Sequence, residues 1–436
     1  MKSSFLRDII SLASSRVVVT ILTVATSILT ARYLGPEKNG IIAALTVYPL
    51  FFMSIGSMGI QQSATYFIGQ NKFELKSVYS AIVVIWAFTT VFCTAVCFIL
   101  IKYFSTGNYP LYLITLAIIT IPFSLYTTYS SGIFLGQQNL KEYNKVSWIP
   151  AVMTFFLSVL LLVIFHIGIA GYLWATFTGA FILSILVFFK IRAIVSFDLI
   201  FDVQIIKQML SLGLLYALEV LIFALNYRAD IVLLEKMSTP FEIGIYSKGV
   251  NIVEILWQIP LFVGAVIFSR SAGATDKQAF SVKVCRLLRF ASIAIIIASI
   301  ALYLLSGIVI NLMYGNAFAL SVPVLRLLIP GVLLLTVLRI LNMDLAGKGK
   351  PWLSMRAMIP AAIINIILNY ILIPKYGANG SALASTISYS IATIIFIIVY
   401  SKEVNISLKE IFRPNKEDRA IVVAYYYTLR KKFNIK

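Results

Sequence analysis

Twelve apolar runs, each near the length of one bilayer crossing, fill most of this chain of 436 residues. About 20 apolar residues in a helix cross the hydrocarbon core, because a helix rises about 1.5 Å per residue and satisfies its own backbone hydrogen bonds, which lipid cannot do. The runs lie near residues 9–30, 40–68, 78–101, 111–134, 146–165 and 169–189, then 206–234, 242–268, 288–312, 320–345, 353–373 and 381–400. Hydrophobic residues make up 60% of the sequence and charged ones 12%, against a charged share of about 25% in soluble domains. The pattern predicts an all-α polytopic membrane protein. The first run is a full span long, which speaks against a cleavable signal peptide.

So apolar a chain with a net charge of +19 has three readings: nucleic acid, an anionic ligand, or membrane orientation. Loop position separates them. Of the 36 basic residues, 26 fall on the side shared by the N-terminus and every second loop. Five lie on the other side (Arg32, Lys38, Lys102, Lys236, Lys375), and five lie inside runs. The positive-inside rule then puts both termini in the cytoplasm and requires an even number of crossings. Most of the charge reports topology, and no nucleic-acid partner is expected. The tail, 401–436, is polar and basic; its Arg430, Lys431 and Lys432 would be solvated or lie against anionic lipid.

Several chemistries drop out. Three cysteines and one histidine furnish neither a metal cluster nor a disulfide framework, so no metal or other cofactor is expected. Gly347-Lys-Gly-Lys350-Pro351 lacks the spacing of a phosphate-binding loop, so ATP is not the direct energy source. No loop is large enough to carry the catalytic groups of a membrane glycosyltransferase or polymerase, and no catalytic residue is expected.

The two halves echo one another. Pro36 to Ile41 pairs with Pro240 to Ile245 at an offset of 204, and Ile149-Pro150-Ala151 pairs with Ile359-Pro360-Ala361 at 210. Gly168-x-x-Gly171-x-x-x-Ala175 pairs with Gly377-x-x-Gly380-x-x-x-Ala384 at 209. Each pair joins run n to run n+6. An even step keeps the orientation, so the repeats should be related by an axis along the membrane normal, with a site between them. The expected domains are an N-lobe over 1–203, a C-lobe over 204–400 and the tail.

Three segments carry a family resemblance. Ala31-Arg-Tyr-Leu-Gly-Pro-Glu-Lys-Asn-Gly40 resembles the junction of the first two helices in the polysaccharide biosynthesis, or Wzx-type oligosaccharide flippase, family. Asn365 through Asn369 and Pro374 to Gly380 resemble its junction of helices 11 and 12, and Asp230 with Gly244-Ile-Tyr-Ser247 its helix 7 to helix 8 pattern. The resemblance covers nearly the whole chain. It implies about twelve helices in two six-helix lobes forming a V around a cleft, as in the multidrug/oligosaccharidyl-lipid/polysaccharide flippase superfamily. It further implies transfer of undecaprenyl-pyrophosphate-linked oligosaccharide, such as an O-antigen or capsule repeat, to the outer leaflet of a bacterial inner membrane. Polymerase and glycosyltransferase partners belong to the same implied pathway. A cation-coupled multidrug exporter of the superfamily is the alternative, and a non-transport membrane component of glycan synthesis the other.

Helical spacing independently marks candidate cleft residues. Arg16, Thr20, Thr23, Ser27 and Thr30 form a row on the first run; Ser54, Ser57, Gln61 and Thr65 on the second; Thr120, Ser124, Thr127 and Ser131 on the fourth. The seventh run aligns Glu219, Asn226 and Asp230, and the eighth Ser247, Asn251, Glu254 and Gln258. Long polar rows avoid lipid, so they face water or pack against protein, and rows with charged members should face the cleft. A diphosphate wants cations there. The expected substrate-binding set is Arg16, Lys248, Asn251, Arg339 and Gln61. Arg228 lies nearly opposite Glu219 on its helix and should face away from the cleft. Glu219, Asp230 and Glu254 admit two readings, as partners for buried cations or as carriers of a coupling H⁺ or Na⁺.

Overall fold

Helix is the element that lipid permits such runs to form, and the computed structural model, described for residues 2–137, 139–195, 201–272 and 274–414, contains no strand among them. The helices are α1 (Lys2–Gly56), α2 (Ile60–Gly69), α3 (Leu75–Phe104), α4 (Leu111–Ile118), α5 (Thr120–Gly136), α6 (Leu140–Ser147), α7 (Ile149–Ser158) and α8 (Ile169–Arg192). There follow α9 (Val203–Met237), α10 (Pro240–Val253), α11 (Gln258–Ala272), α12 (Lys277–Tyr314), α13 (Ser321–Gly347), α14 (Met355–Val404) and α15 (Leu408–Phe412). Arg430, Lys431 and Lys432 lie outside the described residues.

Eight stretches are long and apolar enough to cross a membrane, nine if the bent α9 counts as one. The two longest, Arg16–Gly69 and Pro351–Val404, each contain a non-helical glycine, Gly35 and Gly377, at which two helices meet in a kink. Rows of exposed apolar side chains, such as Ile293, Ile297, Ile300, Leu304, Ile308 and Leu312 on α12, run the length of outward faces. This is a multi-pass membrane protein.

Some runs that read as single helices are broken, and the breaks sit at Gly or Pro. The second run stops at Gly56 and restarts at Ile60 beyond Met58 (φ 43°) and Gly59 (φ 61°); Tyr129 donates its hydroxyl to the freed Gly56 carbonyl. The eighth run holds a 3₁₀ turn at Glu254–Trp257, immediately before Pro260, which has no N–H to give that turn. Pro150 and Pro122 mark the starts of α7 and α5 in the same way.

Two of the repeated motifs occupy related positions. Gly168 (φ 72°, ψ −142°) and Gly377 (φ 54°, ψ −130°) adopt similar turns ahead of matching helices. Pro36–Gly40 and Pro240–Gly244 meet each other: a Cβ on Gly40 would lie 1.7 Å from the Pro240 carbonyl oxygen, and one on Gly244 would lie 1.9 Å from that of Pro36. The two halves therefore touch backbone to backbone, through a contact only glycine admits. A second contact of this kind joins Gly59 to Gly213, where an added Cβ would come 2.2 Å from the Gly213 oxygen. These two contacts lie some 19 residues apart along the second half of α1 and its continuation, about 28 Å of helix. They define a Gly40 end and a Gly59 end of the interface.

Candidate functional site

Between the two contacts lies a cavity of about 960 Å³, at the upper limit of the ~300–1,000 Å³ usual for ligand sites. Its walls come from both halves. The α1 row enters whole: Arg16, Thr20, Thr23, Ser27 and Thr30 all line it. So does the eighth-run row of Ser247, Asn251, Glu254 and Gln258. Of the second-run and fourth-run rows, only Gln61 and Ser131 reach the cavity, bonded to each other at 2.8 Å. Ser54, Ser57, Thr65, Thr120 and Thr127 instead bond carbonyls three or four residues back along the chain.

Lys248 projects from α10 across the interface and is 4% exposed. Its Nζ donates to the Ser27 carbonyl (3.1 Å), Ser27 Oγ (3.2 Å) and Thr30 Oγ1 (3.1 Å), and it stands 5.3 Å from the Tyr314 ring centroid. Asn251 reaches the same Ser27 hydroxyl at 3.4 Å. The turn beside it is stapled by Asn39, whose amide donates to the carbonyls of Thr30 (2.9 Å) and Gly35 (2.7 Å). Arg16 lines the other end and is exposed to the cavity space. Among the described residues neither cation has a carboxylate within 4 Å. Arg228 also lines the cavity, but Glu254 faces it at 3.7 Å. Three cations against one carboxylate leave a surplus of two positive charges.

Three sequence expectations are corrected. Arg228 does not face away from the cleft; its opposition to Glu219 is real, but Glu219 is the residue that faces elsewhere. The seventh-run row points into the interior of the C-terminal half. Glu219 accepts from Asn342 (3.2 Å) and Ser354 (3.3 Å), and Asn226 bonds the Met358 carbonyl (3.3 Å) and Ser388 (3.2 Å). Arg339 is also inside that half, not on the cavity wall. Its guanidinium lies 4.0 Å from the Trp257 ring centroid and 4.9 Å from that of Tyr227, with Nε donating to the Tyr227 hydroxyl at 3.3 Å. Helical periodicity identifies a polar face but not what covers it, and four neighbouring helices supply protein cover here.

Asp230 is 1% exposed. Its Oδ2 accepts from Tyr246 and from Ser385 (2.8 Å), while Oδ1 has no partner among the described residues. Asn365, Asn369 and Ser381 continue the network: Asn369 donates to Asn365 (3.0 Å) and accepts from Ser381 (2.7 Å). No group of three or more His, Cys, Asp or Glu able to hold a metal occurs among the described residues.

Sequence reasoning missed Glu235, in the last turn of α9. It is 5% exposed, and its carboxylate receives hydroxyls from Tyr48, Ser105 and Tyr109, the last at 3.0 Å. Its backbone carbonyl takes Thr106 at 2.7 Å. All four donors belong to the N-terminal half, so this residue ties the halves at the Gly40 end. No periodic row marked it, because its partners come from a loop and from a helix distant in sequence.

Solved structures share this architecture. The lipid II flippase MurJ in an inward closed conformation superposes with a TM-score of 0.77 at 16% identity, over 95% of this chain and 92% of that one. An inward-facing multidrug resistance MATE family transporter of the MOP superfamily gives 0.73 at 14%, over 89% and 94%. Among curated proteins, the probable low-salt glycan biosynthesis flippase Agl15 of Haloferax volcanii is 23% identical over 183 residues, 41% of this chain and 39% of that protein. The uncharacterized membrane protein MJ1068 of Methanocaldococcus jannaschii is 29% identical over 153 residues, 34% and 30%. The chain thus spans about a third of the length of the curated relatives it matches. The family model for lipid II flippase MurJ matches residues 259–431. That for polysaccharide biosynthesis protein matches residues 5–271, more than half of the sequence, and the chain belongs to that family.

Proposed function

We propose that the protein is an alternating-access flippase that carries a polyprenyl-diphosphate-linked oligosaccharide from the cytoplasmic to the outer leaflet of the cytoplasmic membrane. The observation that carries this reading is Lys248, a buried ammonium on the cavity wall with hydroxyl and carbonyl partners and no carboxylate. Burying an unpaired charge costs several kcal/mol. A substrate that brings phosphate oxygens offsets that cost while it is bound, and Arg16 adds a guanidinium fork suited to the same group. The hydroxyls and amides lining the remaining walls suit the neutral sugars that follow the phosphates. The isoprenoid tail stays in the bilayer.

In this reading the chain makes twelve crossings, counting both arms of the Gly35 and Gly377 kinks, the bent α9, and α10 with α11. An N-lobe over 1–203 and a C-lobe over 204–400 are related by the repeat, with the termini and the 401–436 tail in the cytoplasm. The Gly40 end is then extracytoplasmic and the Gly59 end cytoplasmic. Both curated relatives are archaeal, and the site answers to phosphate, whatever the isoprenoid or the glycan. The undecaprenyl carrier of a bacterial inner membrane fits it equally. Glycosyltransferases that build the substrate and a polymerase that consumes it are the partners this role requires. Glu254 is a structural partner of Arg228, whereas Asp230, buried with one carboxylate oxygen unpartnered, is the candidate for H⁺ or Na⁺ coupling.

A multidrug exporter would offer its cationic cargo an accessible carboxylate in the cavity. The one there, Glu254, already faces Arg228.

Arg16→Ala and Lys248→Ala should each lower flipping at least tenfold in proteoliposomes, and abolish surface glycan in a flippase-deficient cell, at normal membrane abundance. Full activity in both variants would remove the cationic-cavity reading. Collapsing the proton and sodium gradients separately tests coupling. Unchanged transport under both treatments, together with full activity of Asp230→Asn, would eliminate it.

A further inference from the structure

We infer that the cytoplasmic end of the cavity holds a sugar-binding subsite built on Asn144, with Gln61 and Tyr143, next to the Arg16 phosphate position. The inference rests on the flippase reading and names which part of the substrate this wall meets. Asn144 lines the cavity yet is 7% exposed, and its Nδ2 donor has no hydrogen-bond partner among the described residues. Buried N–H groups are almost always paired, since an orphan loses its water without replacement. Here the lost partner is restored when an acceptor enters the cavity.

The surroundings form a built site. Tyr143, Asn144 and Ser147 follow i, i+1, i+4 on the short helix α6 and share the face turned to the cavity. The opposite face anchors that helix: Glu142 bridges to Lys190 at 2.7 Å and also pairs with Lys145. Tyr143 rests against Phe134 with ring centroids 6.0 Å apart, so its position is set by packing. Gln61, on α2, spends its N–H on Ser131 at 2.8 Å, which leaves its carbonyl oxygen as an acceptor on the same wall. A fixed donor, a fixed acceptor and an aromatic surface suit a sugar ring, whose hydroxyl or acetamido groups both give and take hydrogen bonds. None of the three carries charge, so the charge-assisted part of phosphate binding stays with Arg16. Arg16 stands on the facing helix, and a phosphate held there places the attached sugar within reach.

The test uses the full-length protein in nanodiscs and the probes undecaprenyl diphosphate, bare or bearing one N-acetylglucosamine, glucose or galactose. At least one sugar-bearing probe should bind wild type threefold or more tighter than the bare diphosphate. Asn144→Leu, which keeps the volume and removes the donor, should erase that gain and leave bare-diphosphate binding unchanged. Its melting temperature should hold or rise, because an orphan donor is gone. The proposal is overturned if no sugar in the panel improves binding, or if the gain survives in Asn144→Leu. Should no probe bind wild type at all, bare diphosphate included, the flippase reading itself falls, which distinguishes the two failures. Gln61→Leu is the second variant, expected to lose part of the same gain.

Discussion

Lys248 and Asp344 show how buried charges serve opposite ends in this chain. Asp344 is fully buried and receives Ser271 (2.6 Å), Ser281 (2.6 Å), Tyr400 (2.8 Å) and the Lys348 ammonium (2.9 Å). Both carboxylate oxygens have donors, and the pair is closed to substrate. Removing the acid strands Lys348, so Asp344→Ala should destabilise the protein by about 3–5 kcal/mol, read from reversible unfolding in mixed micelles. Lys248 has no such partner. Lys248→Met should therefore keep or raise the melting temperature while flipping falls at least tenfold, the signature of a residue kept for function at a cost to the fold. A drop in stability as large as that of Asp344→Ala would make Lys248 structural. Its inclusion in the candidate site was legible in the sequence as a cation on a polar helix face. That of Arg228 was not, since one helix's angles cannot say which of two faces meets the cavity.

At the scale of elements, the breaks matter as much as the helices. The Ser57–Gly59 interruption re-aims the second-run row within one crossing, so that of its members only Gln61, beyond the break, reaches the cavity, whereas the eighth-run row keeps facing it through the 3₁₀ turn before Pro260. The glycine contacts are the joints between halves where backbone meets backbone. Gly40→Ala and Gly244→Ala each insert a methyl into a carbonyl less than 2 Å away, so the helices must part. We expect both to lower the melting temperature by several degrees and to reduce flipping. Gly307→Ala is the comparison: nothing lies within 4 Å of its added carbon, and relief of glycine's helical penalty makes it neutral or stabilising by up to about 1 kcal/mol. Equal behaviour of the three variants would mean the Pro36–Gly40 contact does not hold the halves together.

For the whole molecule, the question is what holds the two halves together at the Gly40 end, the outer end in the proposed topology. Besides the glycine contact, Glu235 gathers three hydroxyls from the N-terminal half, and Arg32 donates to the carbonyls of Met313 (3.1 Å) and Leu312 (2.5 Å). The opposite end is lighter, with the Gly59–Gly213 contact and a Lys72 to Gln208 bond of 2.9 Å. Glu235→Ala should shift the population toward an outward-open form. Its readout is labelling of Val24→Cys, a cavity-wall position, by an impermeant thiol reagent added outside. The native Cys93, Cys97 and Cys285 are buried, so background is low. Labelling should rise several-fold; labelling equal to that of the parent would show that the Glu235 cluster does not hold this side closed.

Hydropathy alone settled that this chain lives in a bilayer as helices, because lipid forces each apolar run to close its own hydrogen bonds. Recurring Pro, Gly and Asn signatures at matched spacing pointed to the family, and the α1 and eighth-run rows to one wall each of the cavity. Only tertiary structure decided which polar rows face the cavity and which face protein. The Glu219–Asp230 row and Arg339 went inside the C-terminal half, while Arg228 came to the cavity. It also paired Glu235 with hydroxyls more than a hundred residues away and left Asn144 without a partner. Periodicity fixes a direction on one helix; the environment met in that direction depends on how the other helices pack, and that information is not local.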